Sequence, residues 1–351
     1  MKNWIINQLE RIWSENKAKG ILSQVKFVED LKKETLGKNI KKYYNGCWIF
    51  APKTPDYFKH RFLFFIHPKI KAQPFDKNEI EPAEIMKEAD AIKFKRIAGF
   101  LNNAGMGVVY SIPLGENIKN ISWQLFRFDF NRESLISLDA DDFFRNWGNR
   151  GRPSHSRGWT EDTKKQYQML EDDVLISLFL NEHFYTEYLK REKHIPVSDP
   201  YDVDGFFIIY SSGRVIPIEI KEKFPAGVND DRFFGIDAGR VLMLLRICLP
   251  NDANALYIIR EVDDSSERNF LGWKYITLSD IIMSSGWNLQ RGGRGMGGQE
   301  TQTIRLPYYQ FKNLDGSVLR DISLDKIGKL PDEIKKAVKD FISERKNFFG
   351  W

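Results

Sequence analysis

The stretch from residue 199 to 221, DPYDVDGFFIIYSSGRVIPIEIK, constrains the fold more than any other part of the chain. Two apolar runs rich in β-branched and aromatic residues, Gly205–Tyr210 and Arg214–Lys221, flank Ser211-Ser212-Gly213, which predicts two strands joined by a turn. Charges interrupt the runs at particular places. Asp204 stands where the first run begins, fourteen residues intervene before Glu219, and Lys221 follows two places later. Residues two apart on a strand point to one face, so Glu219 and Lys221 share a face while Ile218 and Ile220 turn toward a core. Closing the hairpin carries Asp204 toward Glu219.

The surroundings of the hairpin set an element order. Asp162 to Lys193 predicts one long helix with room for a break, and Ala238–Leu249 predicts another, with Asp237 as its N-cap. Leu256–Val262 predicts a further strand. The order is therefore helix, strand, strand, helix, strand. Upstream, the first 45 residues look helical, with Trp4, Ile5, Leu9, Ile12 and Trp13 at helical spacing. WIFAP, RFLFFIHP, GVVYSIP and SWQLFRFDF predict short strands, with a helix from Ala83 to Leu101 among them. Gly, Pro, Ser, Asn and Arg then crowd into FFRNWGNRGRPSHSRGW, which holds neither a helix nor a long strand. Toward the end come RGGRGMGGQETQT (291–303) and a charged helix from Pro331 to about Arg345. The expected class is α/β, in the mixed α+β sense, in three stretches. These are an N-terminal α+β region (1–160), a core (161–265) and a C-terminal region (266–351).

Several functions are excluded by what the residues lack. No GxSxG elbow occurs, the five histidines show no HxH or HExxH spacing, and the Gly-rich segment is not followed by the Lys-Ser/Thr of a phosphate loop. Cys47 and Cys248 lie in apolar surroundings without a paired metal spacing, which predicts two buried, reduced thiols. The longest apolar runs fall far short of the roughly 20 residues that span a bilayer. No membrane association and a soluble, cytoplasmic protein are expected.

Two carboxylates converging beside an ammonium form a hard-oxygen site suited to Mg²⁺. Buried like charges repel, so the arrangement is costly unless a cation joins it. The pattern [D/E]-x-K alone is uninformative, since it recurs at Glu15/Lys17, Asp30/Lys32, Asp162/Lys164, Glu333/Lys335 and Glu344/Lys346. Those copies lie in helical or polar contexts. Only Glu219/Lys221 interrupts a β-branched run and has a strand-borne acid upstream at hairpin distance.

At these residues the chain resembles the PD-(D/E)xK nuclease superfamily, the restriction-endonuclease-like fold, over roughly residues 168–262. The resemblance implies a restriction-endonuclease-like core with a Mg²⁺-dependent phosphodiesterase site holding one or two ions. By it, Asp204 and Glu219 would be metal ligands, the carbonyl of Ile220 a third, and Lys221 the group that orients or deprotonates the attacking water. Val203 stands where the family often has Pro, and Pro200 lies four places before Asp204. This leaves Asp202 as a rival to Asp204, although Asp204 abuts the strand.

Many members also carry an acid on the preceding helix. Glu182 falls in the apolar seam of Val174, Leu178, Tyr185 and Leu189, where a metal or a Lys must meet it. Glu187 is the second choice. Lys223 and Arg240 are candidates for phosphate, Arg240 being in the first turn of its helix, with a salt bridge to Asp237 or Glu222 as its other reading.

Net charge is +5, but Lys and Arg outnumber Asp and Glu six to two over residues 145–165 and four to one over 291–312. Arg150 and Arg152 in the first segment, and Arg291, Arg294, Gln299 and Gln302 in the second, are the residue types that read base edges or phosphates. The Gly-rich segment is expected as a substrate-contacting loop. The resulting expectation is a Mg²⁺-dependent DNA endonuclease, foremost a sequence-specific type II restriction enzyme acting on double-stranded DNA as a homodimer. A nonspecific nuclease of the same fold and a degenerate nucleic-acid-binding protein stand as alternatives.

Overall fold

The computed structural model of the chain describes residues 1–33, 41–50, 62–66, 81–83, 91–144, 158–194, 201–209, 213–265, 267–284, 289–294 and 300–316, with a few isolated positions beyond. The predicted helix over 331–345, apart from Asp332 and Lys336, and Ser211-Ser212 of the turn, Arg150, Arg152 and Gln299 lie outside the described residues. Helices and sheets alternate, so the fold is mixed α/β. No helix among the described residues is long and apolar enough to cross a membrane.

Two compact units divide the chain, one made of residues 1–19 and 45–202, the other of residues 20–44 and 203–351. Helix α1 (Lys2–Ile12) belongs to the first, while α2 (Glu15–Lys32) and strand β1 (Lys41–Phe50) each contribute to both. The first unit continues with β2 (Phe62–Ile66), α3 (Ala91–Asn103), β3 (Gly107–Asn117), β4 (Asn120–Asp129), β5 (Ser134–Leu138) and α4 (Ala140–Phe144). Its strands run in the order β1-β2-β3-β4-β5, parallel between β2 and β3 and antiparallel elsewhere.

The single helix predicted after residue 161 is broken into α5 (Glu161–Gln168), α6 (Asp172–His183) and a π-helical stretch, Phe184–Glu192. The Thr160 hydroxyl caps α5 by accepting from the Thr163 amide. Helix α6 packs on α1, with Lys2 3.2 Å from Asp172 and the Trp4 and Phe179 rings 5.2 Å apart, edge to face.

Where α6 meets β4, the Trp123 indole donates to His183 Nδ1 at 3.2 Å in a buried setting. Burial pushes the His183 pKa from 6.5 down to about 4. Between those values the unfolded chain binds the extra proton, so stability from this group is full above pH 6.5 and is lost as pH falls toward 4. The loss amounts to about 3 kcal/mol at ~1.36 kcal/mol per pH unit. His183→Asn keeps an acceptor near the indole and removes the titration. Urea midpoints measured at neutral and acidic pH should therefore converge more in the variant than in the parent; equal acid sensitivity of the two would refute the assignment.

In the second unit, β6 (Tyr201–Ile209) and β7 (Val215–Lys223) form the predicted hairpin, each strand shifted by a few residues from the sequence estimate. Gly213 closes the turn at φ 70°, a left-handed conformation that favours glycine, and its amide donates to the Ile209 carbonyl. Then follow β8 (Phe233–Asp237), α7 (Ala238–Cys248), β9 (Leu256–Val262), β10 (Phe270–Thr277), α8 (Leu278–Met283), β11 (Leu289–Arg294), β12 (Glu300–Pro307) and β13 (Lys312–Asn313). One sheet runs β6-β7-β9-β10-β13, and a smaller one β11-β12-β8. Strands β7 and β9 are parallel and are joined through α7.

Alternation on β7 decides which face is core. Ile216, Ile218 and Ile220 are buried with Phe27 of α2, Phe207, Ile209, Leu256, Ile258 and Trp273. Each isoleucine so buried contributes about 2–3 kcal/mol. The opposite face, which carries Glu219 and Lys221, meets Arg240 of α7. Both cysteines are free and buried, as their apolar contexts predict, and burial raises both thiol pKa values.

Candidate active site

Pairing between β6 and β7 runs from Ile208↔Val215 to Gly205↔Ile218. Asp204 is the next residue, and there a side chain takes over from the ladder: its Oδ2 accepts from the Ile220 amide at 2.7 Å. Its Oδ1 accepts from the Gln24 side-chain amide, on α2, at 2.8 Å. The Tyr43 hydroxyl donates to the Asp204 carbonyl at 3.0 Å. A Cβ at position 205 would run into the Tyr43 ring, so the glycine after Asp204 is what lets Tyr43 approach. Both carboxylate oxygens and the backbone of Asp204 are thus fixed, and its side chain is only 1% exposed.

Glu219 is equally buried. Lys221 Nζ lies 2.8 Å and Arg240 Nε 3.2 Å from its Oε1. Neither contact is aligned as a hydrogen bond, and neither carboxylate oxygen has a hydrogen-bond partner among the described residues. The charge of Glu219 is met, while its lone pairs are not. Such a carboxylate costs free energy that a ligand offering directed bonds can recover. Lys221 Nζ also stands 3.7 Å from Asp204 Oδ2, so one half-exposed ammonium bridges the two acids.

The walls of the site are set by β9 and α7. Tyr257 pairs with Glu219 across the parallel ladder, and its hydroxyl donates to the Gly235 carbonyl at 2.8 Å. Burial, with the charges of Glu219 and Asp204, raises its pKa well above the ordinary value, which leaves a neutral wall. Asp237 caps α7 by accepting from the Gly239 and Arg240 amides, as its position predicts. Lys223, two places beyond Lys221, is half-buried, and burial followed by the Lys221 charge lowers its pKa.

Two carboxylates suit a cation that completes its shell with water and substrate oxygens, which is the habit of Mg²⁺. The buried, unsatisfied oxygens of Glu219 fit that requirement. Among the described residues no three His, Cys, Asp or Glu side chains group closely enough to cage a metal by themselves. No family model, curated protein or solved structure matches this chain.

The structure thus brings Asp204, Glu219, Lys221, Ile220 and Arg240 together. Ile220 takes part through its amide, whereas the resemblance implies a role for its carbonyl. The Arg240 side chain meets Glu219 and its amide donates to Asp237, while Glu222 holds Arg260 and Arg268 at 2.9 Å each. Glu182 lies in the first unit, its side chain 4% exposed, where Lys17 Nζ meets it at 2.8 Å. Of the two partners the sequence allows for it, the structure supplies the lysine.

The Gly-rich segment is not simply a loop. Its ends pair as β11 and β12, with Arg291 opposite Gln302 and a register shift before Arg294. The threonines of β12 and its pairing with β8 explain why strand wins over the local glycines. Gln302 is exposed on that strand. Gln24 and Tyr43 were not legible from sequence. They precede Asp204 by 180 and 161 residues, and no local pattern marks them.

Proposed function

We propose that the chain is a Mg²⁺-dependent endonuclease that hydrolyses DNA phosphodiester bonds, with Asp204, Glu219 and Lys221 as its working residues. The observation that carries this reading is the convergence of Lys221 on both carboxylates, 2.8 Å from Glu219 and 3.7 Å from Asp204. Asp204 and Glu219 would hold the ion. Bound there, Mg²⁺ would polarise the scissile phosphate and activate a water.

The chain's own groups do the rest. Gln24 and the Ile220 amide keep Asp204 in one orientation before substrate arrives, so no rearrangement is required of it at the moment of reaction. The Lys221 amine orients the attacking water toward phosphorus and steadies the charge that grows on the non-bridging oxygens. Lys223 and Arg240 stand at the same face of β7 and can hold the flanking phosphates. Cutting both strands of a duplex calls for two such sites, so a homodimer acting as a type II restriction enzyme is the fuller form of the proposal.

One observation favours a second reading. Glu219 is already neutralised by two cations, as it would be in a nucleic-acid-binding protein whose catalytic centre has lapsed. Incubating the purified chain with mixed-sequence duplex DNA, with and without Mg²⁺, separates the readings. Discrete Mg²⁺-dependent fragments support a sequence-specific enzyme, and a smear supports a nonspecific nuclease. DNA that stays intact although bound overturns the enzymatic proposal.

A further inference from the structure

Resting on the reading of Asp204 and Glu219 as a cation site, we propose that Arg240 is an exchangeable counter-ion. It neutralises Glu219 until a divalent ion enters, and then transfers to a substrate phosphate, so that metal and nucleic acid bind cooperatively.

Two carboxylates, Asp204 and Glu219, and three cations, Lys221, Lys223 and Arg240, stand around the site among the described residues. A divalent ion added to this set would face an excess of positive charge in a largely buried place, where repulsion is weakly screened. Either the ion stays out, or a cation leaves Glu219 and an anion joins. A phosphodiester is such an anion, and Arg is the side chain best shaped to take it.

Geometry names Arg240 as the cation that moves. Lys221 and Arg240 crowd one oxygen, Oε1, and the longer contact is Arg240's, 3.2 Å against 2.8 Å. Lys221 is also near Asp204 and stays bridged to it. Arg240 sits in the first turn of α7, an eleven-residue helix whose N-terminal amides at 239 and 240 are capped by Asp237, so the backbone that carries it is anchored. Its side chain is 17% exposed, so it is not sealed from solvent as Glu219 is. The contact with Glu219 is not aligned as a hydrogen bond, so breaking that contact forfeits an attraction of charges, which the ion restores at Glu219.

Linkage makes the proposal testable without any turnover. Mn²⁺ binding is measured by titration calorimetry on the full-length parent, Arg240→Gln, Arg240→Lys and Glu219→Gln, each with and without a short duplex held in excess. If Arg240 competes with the ion, Arg240→Gln alone binds Mn²⁺ about tenfold more tightly than the parent, and Arg240→Lys falls between them. The duplex tightens Mn²⁺ binding to the parent about tenfold and has little effect on Arg240→Gln, because the transferable cation is gone. Unchanged or weakened Mn²⁺ affinity in Arg240→Gln, together with an intact duplex effect, overturns the exchange. Should Arg240→Gln fail to fold, the same comparison is made with Arg240→Lys, for which parental Mn²⁺ affinity overturns it. Glu219→Gln tests the underlying reading separately. If it binds Mn²⁺ as the parent does, the ion is not at Glu219, and it is the site assignment that fails.

Discussion

On the proposed nuclease reading, replacing Asp204 by Asn should leave a folded protein whose Mg²⁺-dependent DNA cleavage is slower by about 10³-fold or more. The fold survives because an amide can keep the carboxylate's hydrogen bonds to Ile220 and Gln24. Its oxygen accepts from the Ile220 amide, and its nitrogen donates to Gln24 once that side chain turns its oxygen inward. What is lost is one of the two carboxylate charges that the proposed site offers a divalent ion. Cleavage rates at saturating Mg²⁺, paired with thermal melts, check this. A variant that melts within a few degrees of the parent and cuts at the parental rate would remove Asp204 from the chemistry and revive Asp202, its rival in the sequence.

The hairpin and its flanks were legible because their signals are local. The alternation of V-I-P-I-E-I-K fixes which side chains of β7 share a face, and Asp237 announces the start of α7 with a capping side chain. Strand β9 begins and ends where its β-branched run does. The joins were not legible. Helix α2 reads as part of an N-terminal helical stretch, yet Phe27 packs under β7 and Gln24 holds Asp204, because tertiary burial and not sequence proximity decides where an amphipathic helix docks. The division of the chain within α2 and β1 has the same origin. The expected long helix over 162–193 breaks at residues 169–171 and winds into a π-helix from Phe184, a departure that side-chain periodicity does not encode.

At the site itself, sequence could place Asp204, Glu219 and Lys221 together because a strand has period two and a hairpin doubles back. It could not tell which cation meets which acid. Its place in sequence suits Arg240 to a phosphate or to Asp237 or Glu222, whereas its contact with Glu219 depends on the crossover through α7, which only the assembled sheet reveals. The copy of [D/E]-x-K at Glu15/Lys17 carried a meaning of its own. Uninformative as a pattern, it contains the lysine that answers Glu182.

That pair yields the second large effect. Lys17→Met should destabilise the protein by about 3–5 kcal/mol, the cost of leaving a buried charge without its partner. Met is chosen because the Lys17 stem and ammonium lie against the Trp13 and Trp48 rings, 5.2 and 5.6 Å from the ring centres, and a thioether chain preserves that packing while removing the charge. The Glu182 side chain is 4% exposed, so water cannot readily replace the lost ammonium. Removing the other charge as well should reverse most of the loss, so Lys17→Met/Glu182→Gln should lie well above the single Lys17 variant in a chemical-denaturation series. The size of that reversal is the coupling between the two residues. The cycle also separates two roles for Glu182. A residue that serves only to neutralise Lys17 leaves the cleavage rate of the folded double variant unchanged. Loss of cleavage with stability recovered would instead give Glu182 a part in the reaction, as the resemblance implies. If Lys17→Met costs less than about 1 kcal/mol, the ion pair falls in the range of exposed surface pairs, and the account of Glu182 as a lysine-neutralised seam residue is wrong.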